Sequence, residues 1–113
     1  SDLQALRVLG AKDVVLDPGF GFSKSLDQNY QLMAQLHQFT RLGVPLLVGI
    51  SRKSMIQKVL GTKAEESLNG TTVLHTVALQ QGAHILRVHD VIEARQVIQL
   101  VKKLQENGLS NLP

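Results

Sequence analysis

Asp17, Lys53, Arg87 and His89 are the residues of this chain whose types and surroundings could carry chemistry. Asp17 closes the apolar run "VVLD", and Pro18 holds it extended. A carboxylate so placed can accept two N–H bonds from a flat heterocycle with an amino-imine edge. Its plainer reading is a loop anchor or helix cap. Lys53 stands between Arg52 and Ser54 where a strand gives way to a helix. Its ammonium can pair with an electron-rich ring carbonyl or an anionic substrate, or simply be solvated. Cations at a helix start oppose the macrodipole, so "RKS" calls for a partner such as an anion. In "RVHD", Arg87 and His89 share one side of a strand while Val88 points into packing. An arginine inside an apolar strand must be paired or bind an anion, because an unpaired buried charge is costly. Arg87 with His89 therefore makes a phosphate or pyrophosphate clamp. A structural ion pair to a neighbouring strand's acid is the alternative.

The "GFGF" that follows Asp17 is not a dinucleotide fingerprint, since Lys24 occupies the position that would need glycine. Gly19 and Gly21 instead allow a tight turn on which Phe20 and Phe22 alternate in direction. One can plug the core and the other can face a ligand. Nor is "GTK" at 61–63 a phosphate loop, because the preceding glycine spacing is absent. His37 and His75 fall in helical patterns and His84 opens a strand; none has metal-ligand spacing, and they read as surface or packing residues.

Three short β-type runs must position these groups: 13–17, 44–51 and 84–90. Each is apolar almost throughout, as strands of a parallel sheet are when both faces are covered. Helical patterns lie between them. Ser25 and Gln28 make a capping box ahead of Leu32, Met33, Leu36 and Phe39, and Gly43 and Pro45 stop that helix. Met55, Ile56, Val59 and Leu60 give a short helix ended by Gly61, and "TKAEES" reads as a loop. Val73, Leu74, Val77 and Ala78 mark a helix closed by Gly82. Asp90 stands at an N-cap ahead of the stripe Val91, Ala94, Val97, Ile98, Val101 and Leu104. The start, "LQALRVLGA", reads as a helix or its last turns. Strand alternating with helix predicts an α/β fold with a parallel sheet. All three runs deliver charge at their C-terminal ends, the edge where α/β sheets and barrels bind ligands.

Bulk composition narrows the class. The 113 residues make at most one domain, and 43% hydrophobic content excludes a disordered chain. No cysteine is present, which excludes disulfides and cysteine-built metal sites. No apolar run approaches the ~20 residues of a membrane span, and no signal peptide opens the chain, so a cytoplasmic protein is the expectation. The formal charge of +3 is spread along the chain, and one Tyr with three Phe forms no stacking platform for nucleic acid.

"LDPGFGFSKSLDQNY", "PLLVGISRKSMI" and "GAHILRVHDV" resemble the last three strand segments of the dihydropteroate synthase family, in order and with the spacing of the bacterial form. The likeness runs from about residue 11 to 104. It implies that residues 1–113 form the C-terminal part, strands six to eight with their helices, of a (β/α)8 TIM barrel of roughly 250 residues. The implied reaction joins 6-hydroxymethyl-7,8-dihydropterin pyrophosphate to 4-aminobenzoate, releasing pyrophosphate with the help of Mg2+. By position, Asp17 would hold the amino-pyrimidine edge and Lys53 would contact the pterin and the aminobenzoate pocket. Phe22 and Ser54 would line that pocket, where sulfonamides compete in the family. Arg87 would stack on the pterin and bind pyrophosphate with His89, and Gly49 would leave room for the ring. The family's magnesium ligand, an Asn of an earlier strand, has no counterpart here, so the chain alone is expected to be inactive. The family also implies a homodimer. Ser23, where relatives often carry glycine, and the polar "NGTTVLHT" are departures. A pterin-dependent methyltransferase, a non-catalytic fragment and a generic phosphate-binding domain are the alternatives.

Overall fold

A computed structural model describes residues 6–8, 14–21 and 23–110. The expected capping box forms: the Ser25 hydroxyl accepts the Gln28 N–H at 3.1 Å and the Gln28 side chain accepts the Ser25 N–H at 2.8 Å. It starts α1, Leu26–Ala34. The helical pattern through Phe39 does not continue as one helix. It tightens into a 3-10 segment, Leu36–Leu42, which stops at Gly43 in the left-handed conformation. Two buried contacts fix this change of winding. Gln81 donates to the Ala34 carbonyl at 2.8 Å and accepts the His37 N–H at 2.9 Å, so both ends of the break are held from outside.

The remaining helices are α2, Ser54–Leu60; α3, Leu68–Gln80; and α4, Val91–Glu106. Gly61 ends α2 with φ +67. The polar loop between α2 and α3 contains a short 3-10 turn, Ala64–Glu66. Tyr30 donates to the Met55 carbonyl at 2.8 Å and ties α1 to α2. The α4 stripe is narrower than its periodicity suggests. Ala94, Val97 and Val101 are buried where α4 packs on α3, while Val91, Ile98 and Leu104 are exposed. At about 100° per residue, Val91 and Ile98 fall to one flank of the buried arc, beyond the reach of α3.

The described residues contain four short strands: β1, Leu6–Val8; β2, Val14–Leu16; β3, Leu47–Val48; and β4, Ile85–Leu86. The three expected runs are parallel neighbours. Leu47 pairs with Ile85 and Val48 with Leu86, and a parallel bridge joins Leu16 to Leu46. The strands are shorter than the apolar runs that contain them because the chain turns early. The Lys53 N–H already bonds the Ile50 carbonyl at 3.1 Å. Residues 6–8 correct the reading of the start as helix, and with it the expectation of a wholly parallel sheet. They pair antiparallel with β2, Leu6 opposite Leu16 and Val8 opposite Val14. The outer edge of β2 carries unpaired N–H and C=O groups, and an extended segment satisfies them as a helix could not. The rest of the expected helix lies outside the described residues.

The core sits between the parallel strands and α1–α3. Leu16, Phe20, Leu36, Leu46, Val48, Ile50, Met55 and Ile56 are buried in one cluster. Each such side chain contributes roughly 1.5–3 kcal/mol of hydrophobic stabilisation. Phe20 is thus the aromatic that plugs the core; Phe22 lies outside the described residues.

Candidate functional site

The C-terminal ends of β2, β3 and β4 come together, and each contributes a charged group. After β2, the Asp17 carboxylate is buried. Its Oδ1 accepts the Gly19 N–H at 3.0 Å and its Oδ2 accepts Arg87 Nη1 at 3.3 Å. The loop beyond turns on Gly19 and Gly21, with φ of +71 and +128. Asn29 holds that turn from α1: its Oδ1 accepts the Gly21 N–H at 3.0 Å and its Nδ2 donates to the Ser25 carbonyl at 3.1 Å. Asn29 shares the core-facing side of α1 with Leu26 and Met33, and a polar residue in that apolar pattern is the one sign of this role, which sequence reasoning passed over.

After β3, Gly49 and Ser51 are buried and Arg52, Lys53 and Ser54 form the turn into α2. The Lys53 ammonium donates to the Phe20 carbonyl at 2.8 Å. It sits well inside the surface, and this desolvation, with the nearby positive charges of Arg87 and Lys24, pushes it below the usual lysine range. Asp17 works in the opposite direction. The anion called for by "RKS" is in part another residue of the same chain. Arg52 pairs with Asp90, Nε to Oδ2 at 2.8 Å and Nη2 to Oδ1 at 2.9 Å. Asp90 therefore does not cap α4 with its side chain as expected, because its carboxylate is engaged by Arg52.

After β4, the Arg87 side chain is half exposed and lies across Gly49. A Cβ at position 49 would meet Arg87 Nη2 at 2.4 Å, so the missing side chain is what admits the guanidinium. The room at Gly49, expected for a ring, is filled by Arg87 in this structure. The arginine is not buried in the strand. It makes an ion pair, the alternative to an anion clamp, but with Asp17 of the next strand but one rather than with an acid of a neighbouring strand. His89 is exposed, and its backbone N–H donates to the buried Ser51 hydroxyl at 3.2 Å.

Arg87 thus meets both Asp17 and Gly49, and Lys53 lies within electrostatic range of Asp17 and Arg87. Lys53 also faces a cavity of about 390 Å³, shared with Ser54, Phe20, Asn29, Lys24 and Lys58. Asp17, Arg87 and His89 do not line that cavity. Lys53 is the residue that separates the two halves of the site. The arrangement offers a buried acceptor on one side, a lysine-rimmed cavity on the other, and a half-exposed guanidinium that reaches the acceptor. Among the described residues, no three His, Cys, Asp or Glu side chains gather to hold a metal ion.

A family profile described as pterin binding enzyme matches residues 2–89, more than half of the chain. The chain belongs to the pterin binding enzyme family. Within it, the dihydropteroate synthase of Escherichia coli strain K12 is 45% identical over 102 residues, which cover 88% of this chain and 36% of that protein. A solved Yersinia pestis dihydropteroate synthase with a pterine-sulfa conjugate superposes with a TM-score of 0.81 at 42% identity, covering 82% of this chain and 37% of the other. The Xanthomonas albilineans dihydropteroate synthase in complex with 7,8-dihydropteroate gives a TM-score of 0.77 at 41% identity, covering 80% and 35%. The chain spans about a third of the length of the relatives it matches. No helix among the described residues is long and apolar enough to cross a membrane.

Proposed function

We propose that this chain is the C-terminal barrel portion, strands six to eight, of a cytoplasmic dihydropteroate synthase of folate biosynthesis. The observation that carries the reading is the convergence of Asp17, Arg87 and Lys53 from three consecutive parallel strands, in a pterin binding chain 45% identical to such an enzyme. In the reaction, the amine nitrogen of 4-aminobenzoate bonds to the methylene carbon of 6-hydroxymethyl-7,8-dihydropterin pyrophosphate. The carbon–oxygen bond breaks, pyrophosphate leaves with the electron pair, and the amine loses a proton.

Each residue has a task that its geometry supports. Asp17, preorganised by the Gly19 N–H, accepts the donor edge of the pterin, whose arrival replaces the long 3.3 Å contact from Arg87. Arg87 then swings on its exposed stem over the ring and, with His89, stabilises charge growing on the departing pyrophosphate. Lys53 is the cation between the two substrates, and Ser54 bounds the aminobenzoate cavity that a sulfonamide would contest; Phe22 is assigned to the same pocket by the family resemblance alone. Magnesium would supply further neutralisation of the leaving group from a ligand outside residues 1–113, and the full protein would act as a homodimer. Residues 1–113 alone would not turn over.

The test is pyrophosphate release by the full-length gene product given both substrates, with methyltetrahydrofolate as the rival donor. Release that needs 4-aminobenzoate, and falls about 100-fold or more in Lys53→Ala and Arg87→Ala, supports the reading. Turnover unchanged by both substitutions, or methyl transfer in place of pyrophosphate release, overturns it.

A further inference from the structure

Arg52 adopts φ +55, alone among the described non-glycine residues in the left-handed region. That conformation is costly for a residue with a Cβ, and it persists only where the surroundings enforce it. Here they do so at every polar group Arg52 owns. Its N–H donates to the buried Thr71 hydroxyl at 2.9 Å, and its carbonyl accepts Gln57 Nε2 at 2.8 Å. Nη1 donates to the Ala64 carbonyl at 2.7 Å, while Nε and Nη2 form the two-pronged contact with Asp90. Each nitrogen of the guanidinium and both backbone groups of Arg52 thus have a partner within the chain. Its two chain neighbours, by contrast, both serve the site region. Lys53 reaches the Phe20 carbonyl, and Ser51 accepts the N–H of His89, the residue just before Asp90.

We infer that the Arg52–Asp90 pair is a positioning clamp that locks the turn bearing Lys53 to the turn bearing His89, and so sets the distance between the two halves of the site. This rests on the proposed function for its catalytic consequence but not for its geometry. Bidentate arginine–carboxylate pairing is directional as well as attractive, which suits a spacer between two loops. A lysine in its place would keep the charge and lose the fork. The left-handed turn reverses the chain between Ser51, which faces β4, and Lys53, which faces the Phe20 loop, so both contacts depend on Arg52 staying where it is.

The test uses the full-length gene product with Asp90→Asn and the milder Arg52→Lys. The first readout is independent of activity: lysines are dimethylated with a carbon-13 label, the Lys53 signal is assigned with Lys53→Arg, and its titration is followed by NMR. The groups that face Lys53 are Arg87, Asp17 and Lys24. Release of the turn should return Lys53 towards the ordinary lysine range as it regains water. The second readout is turnover, expected to fall by about tenfold or more in kcat with little change in KM. In a Lys53→Ala background, Asp90→Asn should then cost clearly less than it does alone. An unmoved Lys53 titration in both variants overturns the clamp, whatever the turnover. If the unaltered protein shows no synthase turnover, the proposed function falls while the titration still decides the clamp. Equal effects of Asp90→Asn with and without Lys53 overturn its link to catalysis.

Discussion

Replacing Gly49 with alanine separates stability from function more cleanly than any other change at this site. The new Cβ would lie 2.4 Å from Arg87 Nη2, 2.8 Å from Cζ and 2.9 Å from Nε. Comfortable contact begins near 3.5 Å, so the guanidinium must retreat by about 1 Å. It can do so readily, because the side chain is 52% exposed and hinges on a flexible stem. Gly49 is not among the positive-φ glycines, so alanine takes its backbone without strain. The Arg87–Asp17 contact is lost, and because Asp17 is buried while Arg87 is half exposed, removing this partner costs about 1–3 kcal/mol. Alanine restricts the unfolded chain and returns about 0.4–1 kcal/mol. The net change in folding stability is therefore a loss of between about 0 and 2.6 kcal/mol. Catalysis should respond quite differently, since a 1 Å displacement of a transition-state contact can cost about 100-fold. Denaturant unfolding and steady-state turnover of the full-length protein, measured on the same preparation, provide the check. A stability loss above about 3 kcal/mol, the scale of core disruption, would show that Gly49 packs against something rigid. Turnover within about twofold would show that Arg87 is not placed by this glycine.

Other positions give independent tests. Thr71→Val removes the buried hydroxyl that accepts the Arg52 N–H and donates to the Ser67 carbonyl at 2.7 Å, and should cost about 1–3 kcal/mol in chemical unfolding. Gly70→Ala would put a Cβ 2.6 Å from Ile56 Cγ2, a buried atom that cannot retreat. Overpacking of about 1–3 kcal/mol should outweigh the roughly 1 kcal/mol gain in helix propensity, and a raised melting temperature would contradict the α2–α3 packing. His75 is buried, its Nε2 has no hydrogen-bond partner, and burial pushes it below the ordinary histidine range. Below about pH 6.5 the unfolded chain takes up a proton that the folded one refuses, so stability falls as the pH drops. His75→Gln should flatten that part of the stability–pH curve. Identical slopes in the two proteins would mean that His75 is solvated.

The local signals in the chain were strong where one short segment decides its own shape. Ser25 with Gln28 announces a helix start because both halves of the capping box lie within four residues, and Gly43 and Gly61 stop helices because they tolerate the left-handed turn. The order of the parallel runs and the polar ends of each were equally legible, since continuous apolar stretches between helical patterns have few other ways to fold. So were Asp17, Lys53, Arg87 and His89 as candidates, from charge at strand ends. What no segment could announce were the pairings across long sequence separations. Whether Arg87 would clamp an anion or pair with Asp17, whether Asp90 would cap α4 or grip Arg52, and that Gly49 makes room for a guanidinium all depend on which strand ends become neighbours. The helix expected at the start failed for the same reason. Leu6–Val8 follows the open edge of β2, a hydrogen-bonding demand that exists only once the strands are assembled.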